Sequence, residues 1–374
     1  MRGPDRLRLQ DLRTAMTAAG LDAAVTVMPE NVYYAAGTLI LTTWDIPHRL
    51  ALGVFPNGGE PALIVCDIEE PQARAESWVQ DIRGYVEYAQ SPIDMLADVL
   101  KEKGLAQKQV GTELSYLAAI YYERLKHLLP DLKLVRSESV WDGLRQIKSP
   151  EEVALLKHAA NVTEQAIYDA WSAAQIGSTE KDIVVDIDAR QLRLGADSLA
   201  FSVLGIGSHT LQGHPHPGPK RLERGETMRV DIGAKYDGYY SDVARVAVGG
   251  QPTERQRDIY KKLRDIQRGT IAMMKPGVRA CDVFQHCLRG FQQVGLPIKM
   301  PHVGHSIGIV LHEAPMIEPG NSAELKAGMV INIEPLYKDP SVAAYHLEDL
   351  VHITPSGPVI LSDHNNTEEM FVIE

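Results

Sequence analysis

Cysteine is scarce in this chain: Cys66, Cys281 and Cys287 are the only three in 374 residues, and no two form a CxxC pair. An odd number of scattered thiols builds neither a disulfide framework nor a thiolate metal site, which points to a reducing, cytoplasmic setting. Long apolar runs are missing too. No stretch approaches the roughly 18 residues of a membrane-spanning helix. The N-terminal MRGPDRLRLQDLRTAM carries charges where a signal peptide carries an apolar core. Basic blocks are absent: 38 Lys and Arg stand against 49 Asp and Glu, a formal net charge of −11. Nucleic acid and anionic membrane surfaces are therefore not expected partners. The phosphate-cradling patterns GxGxxG and GxxxxGK[ST] do not occur. What remains is a 44% hydrophobic, 23% charged composition with a sizeable core, at a length that suits two domains. Its histidines are uneven: 10 of 13 lie at or after His209.

From residue 5 to about 135, helical and strand-like runs alternate, giving an α/β domain over residues 1–145. RLRLQDLRTAMTAAG reads as an amphipathic helix closed by Gly20, and Ile93–Lys103 and Leu117–Leu128 as further helices. DAAVTVM, ALGVFP and PALIVC read as strands. After SESVWDGLRQIK the pattern changes. Ser149-Pro150-Glu151-Glu152 is a capping box with proline at the first helical position, predicting a helix to about Ala174. Thr179 caps a second helix that ends near Gly195. Thr253-Glu254-Arg255-Gln256 opens a third, stopped at Pro276-Gly277, and a fourth ends near Gly295. Gly177, Asp182 and Gly195 fall on Gly277, Asp282 and Gly295 at an offset of 100, the mark of an internal repeat. Each copy reads as two helices followed by strands bearing two acids: Asp231 and Asp242, then Glu334 and Glu348.

In MRVDIGAKYDGYYSDVARV, Asp237-Gly238 signals a two-residue hairpin loop. That loop sets residue 242 opposite Gly233 and residue 244 opposite Asp231. Both aspartates then share a face as diagonal neighbours, within about 7 Å. Such a pair repels unless a cation lies between, the alternative being a solvated hairpin with ordinary surface acids. PHVGHSIGIVLHEAP adds His302, His305 and His312, with Gly304 and Gly308 allowing close approach of backbone and ligand to His305. GMVINIEPLY places Glu334 inside an apolar strand closed by Pro335, where a carboxylate must be paired or metal-bound. AYHLEDLVHIT places Glu348 on the strand face of His346, with Asp349 opposite. Four strand-borne carboxylates with histidine suit Mn²⁺, Co²⁺, Zn²⁺ or Fe²⁺. Two ions balance the four negative charges, whereas one leaves the pocket strongly negative.

Taken together and in order, VDIGAKYDGYYSDVAR, GHSIGIVLHEAP, INIEP and LEDLV resemble the pita-bread family of methionine aminopeptidase, aminopeptidase P, prolidase and creatinase. The NVYYAAGT segment and the QIKSPEEVALLKHA junction extend the resemblance over essentially the whole chain. It implies an α+β fold: a pita-bread catalytic domain at 146–374, made of a duplicated helix-helix-hairpin unit, preceded by a creatinase-type α/β N-terminal domain at 1–145. It implies two divalent ions per chain, Mn²⁺ foremost, on Asp231, Asp242, His305, Glu334 and Glu348. Asp242 and Glu348 would bridge them, Asp231 would hold one ion, and His305 with Glu334 the other. His214, 17 residues before Asp231, matches the family's substrate-polarising histidine, with His216 as its competitor. His312 matches the second such histidine, and Glu334 would also relay a proton to the leaving nitrogen. Arg245, His346 and Trp44 are implied substrate contacts, Trp44 as a pocket wall in a homodimer; core filler is the other reading of Trp44.

The activity so implied is cleavage of the Xaa-Pro imide bond in dipeptides or short peptides. Two positions depart from the family pattern. His346 stands where prolidases and aminopeptidase P carry arginine, and a histidine holds a carboxylate less firmly than a bidentate guanidinium. Ser306 stands where a glycine is usual, adding a hydroxyl near the metal. Two alternatives follow. One is a hydrolase or lyase of a small non-peptide substrate, similar to ectoine hydrolase, creatinase or dimethylsulfoniopropionate lyase. The other is an inactive scaffold, which five intact ligands disfavour.

Overall fold

In the computed structural model, which describes residues 9–46, 48–296, 298–340 and 342–374, the chain divides after Arg145 into two compact units. The first is built on strands β1 (Ala23–Thr26), β2 (Leu52–Pro56), β3 (Ala62–Cys66), β4 (Asp81–Tyr85), β5 (Gln109–Thr112) and β6 (Lys133–Arg136). They form one mixed sheet in the order β4-β3-β2-β1-β5-β6. Every residue of β1, β2 and β3 is buried, which is why these strands read as unbroken apolar runs. The anticipated helices form at Leu9–Ala18, Pro92–Glu102 and Ala119–Leu128. Strands β4 and β6 alternate or stay half-exposed and carried too weak a pattern to read.

The second unit holds four long helices, Pro150–Ala173, Glu180–Arg193, Glu254–Ala272 and Ala280–Gln293. Ser149, Thr179 and Thr253 each close a capping box, worth about 1 kcal/mol apiece. The remaining strands are β7 (Ser198–Ile206), β8 (Thr227–Tyr236), β9 (Tyr239–Tyr240), β10 (Val243–Gly249), β11 (Gly304–Ser306), β12 (Glu313–Met316), β13 (Val330–Ile333), β14 (Leu336–Asp339), β15 (Ala343–His346), β16 (Asp349–Thr354), β17 (Gly357–Ile360) and β18 (Phe371–Ile373). One sheet runs β18-β10-β8-β7, with β9 beside β8; the other runs β12-β11-β13-β16-β17, and β14 pairs β15 alone. Leu156, Ile167, Trp171 and Ile187 of the first helix pair pack on Val230 and Ile232 of β8. Leu263, Val283 and Phe291 of the second pair pack on Ile331, Ile333 and Val351. Each such buried side chain contributes roughly 1.5–3 kcal/mol. Among the described residues no helix is long and apolar enough to cross a membrane.

The duplication is visible, with one difference. In the first copy the chain folds back directly after Asp237-Gly238. In the second, the ribbon β14–β15 emerges between β13 and β16, so the acid spacing grows from 242 − 231 = 11 to 348 − 334 = 14 residues. The acids were expected on strands; only Asp231 is. Asp242 falls between β9 and β10, Glu334 just past β13, and Glu348 between β15 and β16. Strand ends are where a backbone leaves its sheet, so there a side chain can turn toward the other copy.

Candidate metal centre

Asp237 (φ 48°) and Gly238 (φ 76°) both adopt the left-handed conformation of a two-residue hairpin turn. Tyr236 therefore faces Tyr239, and Ala244 faces Asp231, the register expected from the loop length. Val230 and Ile232 enter the helix-packed core, which sends Asp231 to the opposite face of β8. In the second copy, His305 lies in the three-residue β11, flanked by β12 and β13. A Cβ at Gly304 would sit 2.1 Å from the Asn332 carbonyl oxygen, so the glycine admits the neighbouring strand. Two main-chain bonds set the glutamates: Glu334 N–H donates to Val303 O at 3.0 Å, and Glu348 N–H to Ala244 O at 3.1 Å. The second of these ties the second copy onto the hairpin of the first.

The side chains converge. His305 Nε2 lies 3.6 Å from Asp242 Oδ2 and 3.5 Å from Glu334 Oε1. Ligand atoms of Asp231, Asp242 and Glu348 lie within 4.8 Å of one another, as do those of His305, Glu334 and Glu348 and those of Asp242, His305 and His312. His305 Nδ1 donates to the Ser306 carbonyl at 3.0 Å, which leaves the Nε2 lone pair facing two carboxylates. Burial pushes His305 down to about 4, so the ring is neutral there. Burial, then repulsion among Asp231, Asp242, Glu334 and Glu348, pushes the carboxyls of Asp242 and Glu348 well above the ordinary range. Neither oxygen of Glu348, nor Oδ1 of Asp242, meets a donor among the described residues. Acceptors crowded on every side, with donors lacking, are the chemistry of a divalent cation site. Glu334 differs: burial alone would raise its pKa, but His302, His346 and His305 hold it below the usual range.

Other anticipated residues fall in and out of this cluster. His312 is exposed and stacks on His305, ring centroids 3.9 Å apart. His346 is buried, with Nδ1 3.6 Å from Asp231 Oδ2 and Nε2 3.7 Å from Glu334 Oε2. His214 and His216 are both exposed on the loop after Gly207–Leu211. Arg245 is corrected. It was expected to contact substrate, but it is 1% exposed and its donors go to Glu164, Asp349 and the carbonyls of Ala244 and Glu348. Ser306 is also corrected: it points away from the cluster, its Oγ donating to Val330 O at 2.9 Å, because it alternates with His305 along β11. Trp44 belongs to the first unit, where its indole N–H donates to Glu30 Oε1 at 3.1 Å. His302, read with His305 and His312 in PHVGHSIGIVLHEAP, has its Nδ1 3.4 Å from Glu334 Oε1. Asn332, buried beside Asp242, escaped the sequence reading. The available signal was an amide inside the apolar MVINIEP.

Residues 154–355 match the family described as Metallopeptidase family M24, and residues 8–147 the Creatinase/Prolidase N-terminal domain. The chain belongs to metallopeptidase family M24. Membership implies divalent metal ions, and the carboxylate–histidine groups above are the candidates to hold them. The Xaa-Pro dipeptidase of Pyrococcus furiosus is 28% identical over 354 residues, 94% of this chain and 96% of that protein. The solved dipeptidase PepE from Mycobacterium ulcerans shares 28% identity at a TM-score of 0.86, covering 98% of this chain and 97% of that one. The X-Pro aminopeptidase from Thermotoga maritima MSB8, 21% identical, matches in fold at a TM-score of 0.87 over 98% and 99% of the two chains.

Proposed function

We propose that this M24 member hydrolyses the Xaa-Pro imide bond of dipeptides or short peptides, as a homodimer. It would use two divalent ions, Mn²⁺ foremost, on Asp231, Asp242, His305, Glu334 and Glu348. The observation that carries the reading is Glu348: its carboxylate belongs both to the group with Asp231 and Asp242 and to the group with His305 and Glu334. The substrate class is supported by relatives named Xaa-Pro dipeptidase, matched nearly end to end. When bound, the ions supply Lewis acidity and an activated water. The protein's own side chains do the rest. Glu334, held ionised beside His302 and His346, accepts a proton and returns it to the leaving nitrogen. His312 and His214 offer N–H donors to the peptide oxygen as charge develops on it.

The test loads metal-free protein with Mn²⁺, Co²⁺ or Zn²⁺ and screens Xaa-Pro dipeptides, longer Xaa-Pro peptides, creatine and acylated diamino acids. Close to two ions per chain and dipeptide turnover are expected. A saturating metal content near zero with activity retained would sink the reading. One observation favours a second reading, a small non-peptide amide as substrate. Where the resembling peptidases carry arginine, His346 stands between Asp231 and Glu334, 3.6 and 3.7 Å away, and offers no bidentate cation to a substrate carboxylate. Comparing each dipeptide with its C-terminal amide decides: a strong preference for the free acid removes this second reading.

A further inference from the structure

Arg229 lies two residues before Asp231 on β8, so the two side chains leave the same face of the strand. Its side chain is 1% exposed. Among the described residues its hydrogen bonds run from Nη2 to the main-chain carbonyls of Gln212, at 3.2 Å, and Gly213, at 2.6 Å. Among those residues its Nε has no hydrogen-bond partner. Burial disfavours the guanidinium by more than the nearby Asp231 charge favours it, so its placement on two neutral acceptors calls for a reason. The acceptors supply one, because Gln212 and Gly213 are the two residues directly before His214.

The loop they belong to has little regular structure of its own. Residues 206–218 contain one 3-10 turn, Gly207–Leu211. Glu180, fully buried, ties down its ends and the turn: it accepts from Ile206 N–H at 2.8 Å, from Gly218 N–H at 2.9 Å and from His209 Nδ1 at 2.8 Å. The stretch just before His214 is held from β8 by Arg229. Since β8 is paired on both sides, by β7 and β10, one side chain links the His214 loop to the strand that carries Asp231.

We infer that Arg229 is a positioning residue: its bonds to Gln212 and Gly213 fix the loop bearing His214 relative to Asp231. This rests on the reading of His214 given above. The first test is hydrogen exchange across 207–218 in the full chain. In Arg229→Met, exchange of that segment should quicken by about tenfold, with the β8 amides unchanged. Unchanged exchange of the segment overturns the inference, whatever the enzyme does. Should Arg229→Met fail to fold, Arg229→Gln, which loses the charge and the reach, carries the same test.

The second test is a cycle with His214→Ala on a substrate that the wild type turns over. Arg229→Met alone should lower kcat by about tenfold at nearly unchanged KM and metal content. In the His214→Ala background the same change should cost less than about twofold. Equal effects in both backgrounds overturn the inference. So does a lost preference for free-acid over amide substrates with loop exchange intact, which would assign the guanidinium to the substrate carboxylate. If His214→Ala alone is silent, the catalytic reading of His214 fails, and the exchange result still decides the anchor.

Discussion

Glu164 and Asp349 are buried about as deeply as Asp242 and Glu348, yet the two pairs live under opposite electrostatic conditions. Arg245 reaches Glu164 and Asp349 at 2.8 Å each. Burial opposes its charge, but Asp349 and Glu164 outweigh that and hold the guanidinium above its ordinary pKa. Among the described residues Asp242 and Glu348 have no Lys or Arg partner, and their carboxyls are pushed up instead. The clusters touch through the main chain, since Arg245 Nη1 also donates to Glu348 O. Neighbouring residues 348 and 349 thus serve different ends. Asp349 completes an internal ion network beside the site, and in the function we propose Glu348 is left for an ion from outside.

The largest expected effect breaks the braced cluster. Arg245→Met leaves two buried acids unpaired, and urea denaturation should show a loss of about 3–5 kcal/mol. A loss below about 1 kcal/mol would mean the two clusters are not different in kind. Next comes metal binding at the unbraced cluster. Ions at ~100 times their dissociation constant should add about 2.7 kcal/mol, seen as a higher melting temperature. Glu348→Gln should remove most of that shift, and a full shift in the variant would show that Glu348 is not the shared ligand.

A smaller effect comes from pH. In metal-free protein the folded carboxyls of Asp242 and Glu348 bind protons more tightly than in the unfolded chain. Their stabilising contribution is therefore present below about pH 4 and is lost as pH rises toward the raised folded values, by up to about 1.4 kcal/mol per unit and group. Glu348→Gln should flatten this fall relative to wild type; an equal or steeper slope contradicts it. Smallest of all is Ser306→Gly. Because Ser306 faces Val330 O and Lys148 rather than the acids, stability should change by about 1 kcal/mol or less and the metal-induced shift not at all. A lost metal shift would place the hydroxyl at the site after all.

Short-range features were legible in the sequence because each depends on spacing within a few residues. The helix caps at Ser149, Thr179 and Thr253 are of this kind, as is the 236–239 hairpin register that turns Asp231 and Asp242 to one side. The repeat was legible for another reason: each copy's helices end at glycines by local rules, and those glycines recur at a constant offset of 100. Side-chain chemistry made the four acids candidate ligands of a cation, and the family resemblance added His305 to them.

Tertiary structure decided which groups those side chains meet. Arg245 follows the second aspartate in sequence like a substrate residue, but Glu164, 81 positions earlier, and Asp349, 104 later, take its donors. Glu334 and Glu348 leave their strands because the ribbon β14–β15 intervenes. Arg229 gains its meaning only from a loop 16 residues upstream. An isolated segment carries its own hydrogen-bonding and hydrophobic period, and that sets its local shape. Whether a buried charge is compensated depends on what folding brings within about 4 Å, which no local pattern contains.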